Sequence, residues 1–256
     1  MLRGVLLDLA GVVYDGDTLI PGSAEAIGRL RAAGLSVRFI SNTTRSPRKA
    51  LVAQLAGFGI EVSDDEVLTP AGAAIAWLLE NRRSPYLVVH PKLRPEFEKI
   101  EFGGPPVVVI GDAGETFDYA MLNRAFRQLM DGADFIALAN NRVFKDRDGS
   151  PSMDAGAFVA ALEFASGAKA TVIGKPAPAF FEAALHDMGC VADEVAMVGD
   201  DAESDVAGAL QAGLAAAFLV QTGKYRPGDE TRFDPQPTAV AADLAAAVDW
   251  LLSTRI

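Results

Sequence analysis

The sequence is short of the residues that build covalent staples and soft-metal centres. It has one cysteine, Cys190, so neither an internal disulfide nor a multi-thiolate site can form. Its two histidines, His90 and His186, are widely separated and make a poor zinc site. A reducing, cytoplasmic compartment fits that cysteine count. Positive charge is scarce too: 23 Lys and Arg face 34 Asp and Glu, a net charge of −11, which argues against a sequence-independent grip on nucleic acid. Long apolar runs are also missing. The most apolar stretches, 71–80 and 210–220, fall short of the roughly 18 residues that a membrane span requires. The opening run 1–7 turns acidic at Asp8 before a signal-peptide core could form, so neither a membrane nor a nucleic acid is expected as a partner. An anionic substrate would need a local cation or a metal ion in so acidic a protein.

What is present is a chain of 256 residues, half of them hydrophobic, with a regular alternation. Short β-branched runs at 4–9, 35–40, 86–89, 107–110, 135–139, 169–173, 195–198 and 216–220 are separated by Ala- and Leu-rich segments of helical period. That pattern predicts an α/β fold with parallel βαβ units, Rossmann-like in its core. Asp118 and Asp154 read as N-caps, and Gly34, Gly59, Gly132, Gly189 and Gly213 stand where helices should stop. A helix is expected over 203–212. Seams at Thr69-Pro70 and near Gly167-Ala168 divide the chain into a discontinuous core, 1–70 with 169–256, and an inserted α/β unit, 71–168.

Four distant segments place polar residues just after an apolar strand, where open parallel sheets bind their ligands. They are Asp8-Leu9-Ala10-Gly11, Ser41-Asn42-Thr43, Gly174-Lys175-Pro176, and Gly199-Asp200-Asp201 through Asp205. Each alone has an ordinary reading: Asp8 as a turn residue, Ser41-Asn42 as a cap, Lys175 as a solvated surface lysine, Asp200-Asp201 as a loop with an N-cap. Together they make a metal-assisted phosphoryl-transfer site. Asp8 supplies a carboxylate nucleophile for an aspartyl-phosphate intermediate. Mg²⁺, held by Asp8 and Asp200, would neutralise the approach of one anion to another. Ser41, Asn42 and the backbone after them would bind phosphoryl oxygens, and Lys175 would balance charge in the transition state.

In these four motifs and their order the chain resembles the haloacid-dehalogenase superfamily of phosphatases. The large insert between the second and third motifs resembles that of the branch with an α/β cap (class IIA). The segments 174–181, 197–201 and 222–230 are similar to those of the subgroup acting on pyrophosphate and phosphoramidates such as phospholysine and phosphohistidine. The resemblance implies a cap domain at 71–168, a small phosphorylated substrate and a homodimer. It implies that the Ala10 backbone carbonyl is a metal ligand and that Asp205 orients the lysine or a metal-bound water. Asp201 is left between a similar supporting role and a helix cap.

One departure matters. Most phosphatases of this superfamily carry a second Asp two residues after the nucleophile, as acid and base, and this chain has Ala10 there. A positioned acid is worth roughly 10²–10⁴-fold, so substrates whose leaving groups need little help should be favoured: pyrophosphate, phosphoramidates, aryl phosphates. Two alternatives stand beside this reading: a degenerate relative that only binds a phosphate ligand, and a C–P bond hydrolase. Resemblance to the latter would imply a small helical insert between the first two motifs, and this chain lacks it. Arg45 is expected either near the crevice or simply on the surface. The segments 140–142 and 152–157 are expected near the entrance. Gly111-Asp112-Ala113-Gly114 and His90 read as structural.

Overall fold

The computed structural model describes residues 1–98, 100–145 and 150–253, with the Lys145 side chain left aside. In chain order the strands and α-helices are β1 (Gly4–Asp8), β2 (Tyr14–Asp15), β3 (Thr18–Leu19), α1 (Ser23–Ala32), β4 (Ser36–Ile40), α2 (Arg48–Gly57), β5 (Val67–Leu68) and α3 (Pro70–Glu80). Then come β6 (Ser84–Val88), α4 (Arg94–Glu98), β7 (Pro106–Ile110), α5 (Tyr119–Met130), β8 (Asp134–Ala137), β9 (Val143–Lys145), β10 (Pro151–Met153) and α6 (Ala155–Ser166). The chain closes with β11 (Thr171–Val172), α7 (Pro178–Met188), β12 (Val195–Gly199), α8 (Gly208–Gln211), β13 (Ala216–Val220), β14 (Ala239–Ala241) and α9 (Leu244–Ser253). None of these helices is long and apolar enough to cross a membrane.

The chain divides into two units. The first comprises Met1–Ser41, Leu51–Leu68 and Lys175–Ile256; the second comprises Asn42–Ala50 and Thr69–Gly174. The first is built on a six-stranded parallel sheet in the order β14-β13-β12-β1-β4-β5. Its central strands, GVLLD, VAMVG and AAFLV, are buried along their whole length, as expected where both faces of a parallel sheet are covered. Val5, Leu7, Phe39, Val198 and Phe218 share one core with Ile27 and Leu30 of α1 and Val248 and Leu251 of α9. The chain runs outward from β1 through β4 on one side and through β12, β13 and β14 on the other. β1 is therefore a topological switch point, and its carboxyl end is where open parallel sheets bind their ligands. Asp8 is the last residue of β1.

The second unit holds a four-stranded parallel sheet, β11-β8-β7-β6, and an antiparallel β9–β10 hairpin. The strand period of two is visible in β7: Val107 and Val109 enter one core, Val108 and Ile110 the opposite one. Asp118 caps α5 by accepting the Met121 N–H at 2.6 Å, and Asp154 caps α6 by accepting the Ala155 N–H at 2.7 Å.

Two expectations need correcting. The strand expected over 169–173 is observed only at Thr171–Val172, and it pairs with β8 rather than with the larger sheet, so the second unit runs on to Gly174 and also takes in 42–50. A short apolar run does not reveal which sheet it joins; the partner strand decides. Residues 203–212 do not form one α-helix either. A π-helical turn spans Ala202–Ala207 and α8 follows it. The segments 140–142 and 152–157 meet within the second unit, where Gly156 N–H donates to Asn141 O at 3.0 Å and Asp154 N–H to Arg142 O at 3.1 Å.

Candidate active site

Four charged side chains, brought from three segments, gather at the carboxyl ends of β1 and β12. Asp8, Lys175, Asp200 and Asp205 are all buried, none more than 7% exposed. Lys175, contributed by the segment after β11, is the hub. Its Nζ donates to Asp8 Oδ1, stands 2.7 Å from Asp205 Oδ1, and reaches Ile40 O at the end of β4 at 3.4 Å. The contact with Asp205 is a buried ion pair. Burial alone would lower the lysine pKa; the Asp205 and then the Asp8 carboxylates outweigh it and raise the pKa, so the ammonium stays charged.

Asp205 reaches this position through the π-helical turn. Asp205 N–H and Val206 N–H both donate to Asp201 O, at 3.0 and 3.2 Å, and the wider turn returns the Asp205 side chain to the strand end. There Asp205 Oδ2 accepts the Asp201 N–H at 3.1 Å. Gly199 permits the approach, since a Cβ at that position would collide with the Asp205 carboxylate. Single π-turns of this kind are frequent at functional sites.

Asp200 follows β12 directly. Burial, then the charges of Asp8 and Asp205, push its carboxyl well above the ordinary range, against the lowering effect of Lys224. Asp205 is also raised, by burial first, with Lys175 opposing and Asp8 and Asp201 adding to the rise. Asp201 behaves differently. Its Oδ1 accepts N–H bonds from Glu203 at 3.1 Å and Ser204 at 2.9 Å, so it is the N-cap of the turn. Burial works against its charged form, but Lys224 and the Ser204 N–H hold its pKa down.

Oxygens of Asp8, Asp200 and Asp205 all lie within 4.8 Å of one another. Three carboxylates with one lysine leave an excess of negative charge in a buried place, and an all-oxygen donor set suits a hard divalent cation. The donor chemistry therefore fits Mg²⁺ or a similar ion. Both Asp205 oxygens are engaged, by Lys175 and by the Asp201 N–H, which leaves Asp8 and Asp200 as the better ligands. Ala10 follows the strand and is exposed, with a backbone bridge to Tyr14.

Ser41 is buried at the end of β4, its N–H donating to Leu68 O at 3.1 Å. Asn42 belongs to the second unit, its Oδ1 close against Gly174, where a Cβ would stand 2.8 Å away. Arg45 lies in that unit as well. It pairs with the buried Asp112 and lies over the Phe144 ring, 4.3 Å from its centroid. The sequence reads Asp112 as structural without revealing its partner, and it gives no role to Lys224, whose backbone N–H donates to Asp200 Oδ2 at 2.7 Å. The signal for both was the same: a Gly beside a charged residue after a strand, at Gly111-Asp112 and at Gly223-Lys224.

Known proteins bear out the resemblance. The sequence profile described as haloacid dehalogenase-like hydrolase matches residues 5–103, and a second, described as HAD-hydrolase-like, matches residues 172–247. The chain is 44% identical to the phospholysine phosphohistidine inorganic pyrophosphate phosphatase of Homo sapiens, over 98% of this chain and 94% of that protein. It is 42% identical to the haloacid dehalogenase-like hydrolase domain-containing protein 2 of Bos taurus, over 98% of this chain and 96% of that one. The crystal structure of the 4-nitrophenylphosphatase of Thermotoga maritima superposes with a TM-score of 0.88 at 29% identity, covering 97% of each chain. The chain belongs to the haloacid-dehalogenase-like hydrolases, in the branch whose named relatives and solved neighbours include these phosphatases.

Proposed function

We propose that the protein is a divalent-metal-dependent phosphatase that works through an aspartyl phosphate and favours activated phosphoryl donors. The observation that carries this reading is Lys175, buried between Asp8 and Asp205 and beside Asp200 at the switch point of the sheet. Asp8 is the nucleophile. An oxygen of its carboxylate forms a bond to phosphorus as the bond to the leaving group breaks; water then cleaves the acyl phosphate, releasing inorganic phosphate and regenerating Asp8. Lys175 fixes the attacking carboxylate and offsets charge on the phosphoryl oxygens, with Asp205 holding the ammonium in place. Asp8, Asp200 and the Ala10 carbonyl are the proposed ligands of Mg²⁺, which when bound supplies the positive charge that lets carboxylate and phosphate approach. Ser41, and by its motif Asn42, are assigned to the phosphoryl oxygens. The inserted unit is assigned the part of the cap.

Substrate preference follows from Ala10, whose methyl group can neither give nor take a proton. The leaving group must then be stable as it departs or bring its own proton. Pyrophosphate, phosphoramidates and aryl phosphates meet that condition; alkyl monoesters such as sugar phosphates do not. The printed names of the relatives support this class, pyrophosphate and phospholysine in one, 4-nitrophenyl phosphate in another. Near-equal identity to a relative whose name states no substrate leaves the choice to chemistry.

The test is phosphate release from a panel of pyrophosphate, a phosphoramidate, 4-nitrophenyl phosphate and a hexose phosphate, with Mg²⁺ and with EDTA. Metal-dependent turnover with the hexose phosphate slowest is expected. A hexose phosphate processed best would overturn the preference, and silence across the panel would favour a phosphate-binding protein. Restoring the acid by Ala10→Asp should raise the hexose phosphate rate relative to that for 4-nitrophenyl phosphate, by up to about 10²-fold.

A further inference from the structure

The loop after β13 closes on the acidic cluster through three consecutive residues. The Thr222 hydroxyl donates to the Gly11 carbonyl, across 211 positions of sequence. Lys224 N–H donates to Asp200 Oδ2 at 2.7 Å. Between them Gly223 lies against the same carboxylate: a Cβ there would collide with Asp200 Oδ2 and stand 2.6 Å from Gly11 Cα. Gly11 is its counterpart, since a Cβ on it would collide with the same oxygen and stand 2.9 Å from Gly223 Cα. Both glycines have left-handed backbones, with φ of +88° and +62°, which L side chains rarely adopt. Asp200 Oδ2 is thus enclosed by two glycines and one amide, and the Thr222 hydrogen bond ties the two glycine turns together.

We propose that residues 222–224 are a latch that orients the Asp200 carboxylate and so sets the affinity for the divalent cation. The proposal rests on Asp200 being a metal ligand, as argued above. Groups that orient a metal ligand without touching the metal are worth roughly 10–100-fold in affinity. The latch is made of backbone and of the Thr222 hydroxyl. The Lys224 ammonium acts in the opposite sense: it stands 3.4 Å from Asp201 Oδ2, next to Asp200 in the chain, and adds a positive charge that competes with a bound cation for the same negative field. Adjacent parts of one loop should therefore change metal binding in opposite directions.

The experiment is calorimetric titration of Mg²⁺ into the metal-stripped full chain, with circular dichroism to show that each variant is folded. Thr222→Val and Gly223→Ala should weaken binding about tenfold or more, and Thr222→Ser should restore wild-type affinity. Lys224→Ala keeps the amide and removes the ammonium, so it should bind Mg²⁺ more tightly. If Gly223→Ala does not fold, the Thr222→Val and Thr222→Ser pair carries the test. Wild-type affinity in Thr222→Val, or weakening in Lys224→Ala as large as that in Thr222→Val, would overturn the latch while leaving the metal site standing. A wild-type chain that takes up no divalent cation would overturn both.

Discussion

Two parallel strands of this protein end in the same way and lead to different chemistry. β12 closes on Gly199 before Asp200, and β7 is followed by Gly111-Asp112. Both aspartates are buried, at 2% and 4% exposure. Asp112 is satisfied: Arg45 pairs with one oxygen, the Gly114 N–H donates to the other at 2.8 Å, and its own N–H donates to Thr44 Oγ1 at 3.0 Å. Asp200 is surrounded by two further carboxylates and receives one backbone N–H. The difference is one of charge balance. A buried acid matched by a cation and an amide holds a loop together. A buried acid left in excess keeps an affinity for something not supplied by the chain, and that is the property a metal-dependent active site requires.

Each end of this comparison can be broken. The largest effect is expected at Asp8: Asp8→Asn removes the proposed nucleophile and should lower kcat on the order of 10⁴-fold, with an unchanged circular dichroism spectrum. Substantial turnover in that variant would end the aspartyl-phosphate mechanism. Next, Lys175→Met removes the one cation among three carboxylates. Turnover should fall about 10²–10³-fold, and the metal-free protein should lose about 3–5 kcal/mol of stability in urea unfolding, because Asp8 and Asp205 are left buried without the Lys175 counter-charge. The matching change in the other unit, Arg45→Met, should lower stability by less, since Arg45 is partly exposed, and should leave Mg²⁺ affinity unchanged.

The smallest effect has the most informative sign. Burial and like charges raise the Asp200 carboxyl to about 8, so its ionisation opposes folding: the cost is absent below the ordinary carboxylate range, grows as pH rises from there towards the folded-state pKa, and is complete above it. Asp200→Asn should therefore raise the melting temperature of the metal-free protein at alkaline pH, have little effect at acid pH, and abolish the rise that Mg²⁺ causes in the wild type. Asp112→Asn should instead lower the melting temperature and keep the Mg²⁺ response, because it removes a matched charge. Melting curves with EDTA and with Mg²⁺ across pH distinguish the two, and destabilisation of the metal-free protein by Asp200→Asn would refute the charge-excess argument.

Much of the fold was legible because its signals are local. The fully apolar strands, the caps at Asp118 and Asp154, and the glycines that stop helices each depend on residues a few positions apart. The polar strand ends at Asp8, Lys175 and Asp200 were legible for the same reason, and they proved to share one cluster. Asn42 belongs to the second unit, and Arg45 of that unit is committed to Asp112. The short strand at Thr171–Val172 was misassigned because two residues carry no record of the sheet they will join. The π-helical turn was missed because an Ala-, Ser- and Asp-containing segment has the composition of an ordinary helix start. Asp205 takes its place through Lys175, Gly199 and the Asp201 amide together.

The sequence by itself determined the class of fold, the four polar strand ends, the shortage of cysteine, histidine and positive charge, and the one absent acid at Ala10. Those features rest on residue type and on short-range periodicity, which a linear chain displays directly. Only the tertiary structure decided which acids would be matched and which left in excess. Lys175 answers to Asp8 from 167 positions away, and Thr222 to Gly11 from 211. Charge balance inside a protein is a sum over neighbours in space, and folding chooses the neighbours.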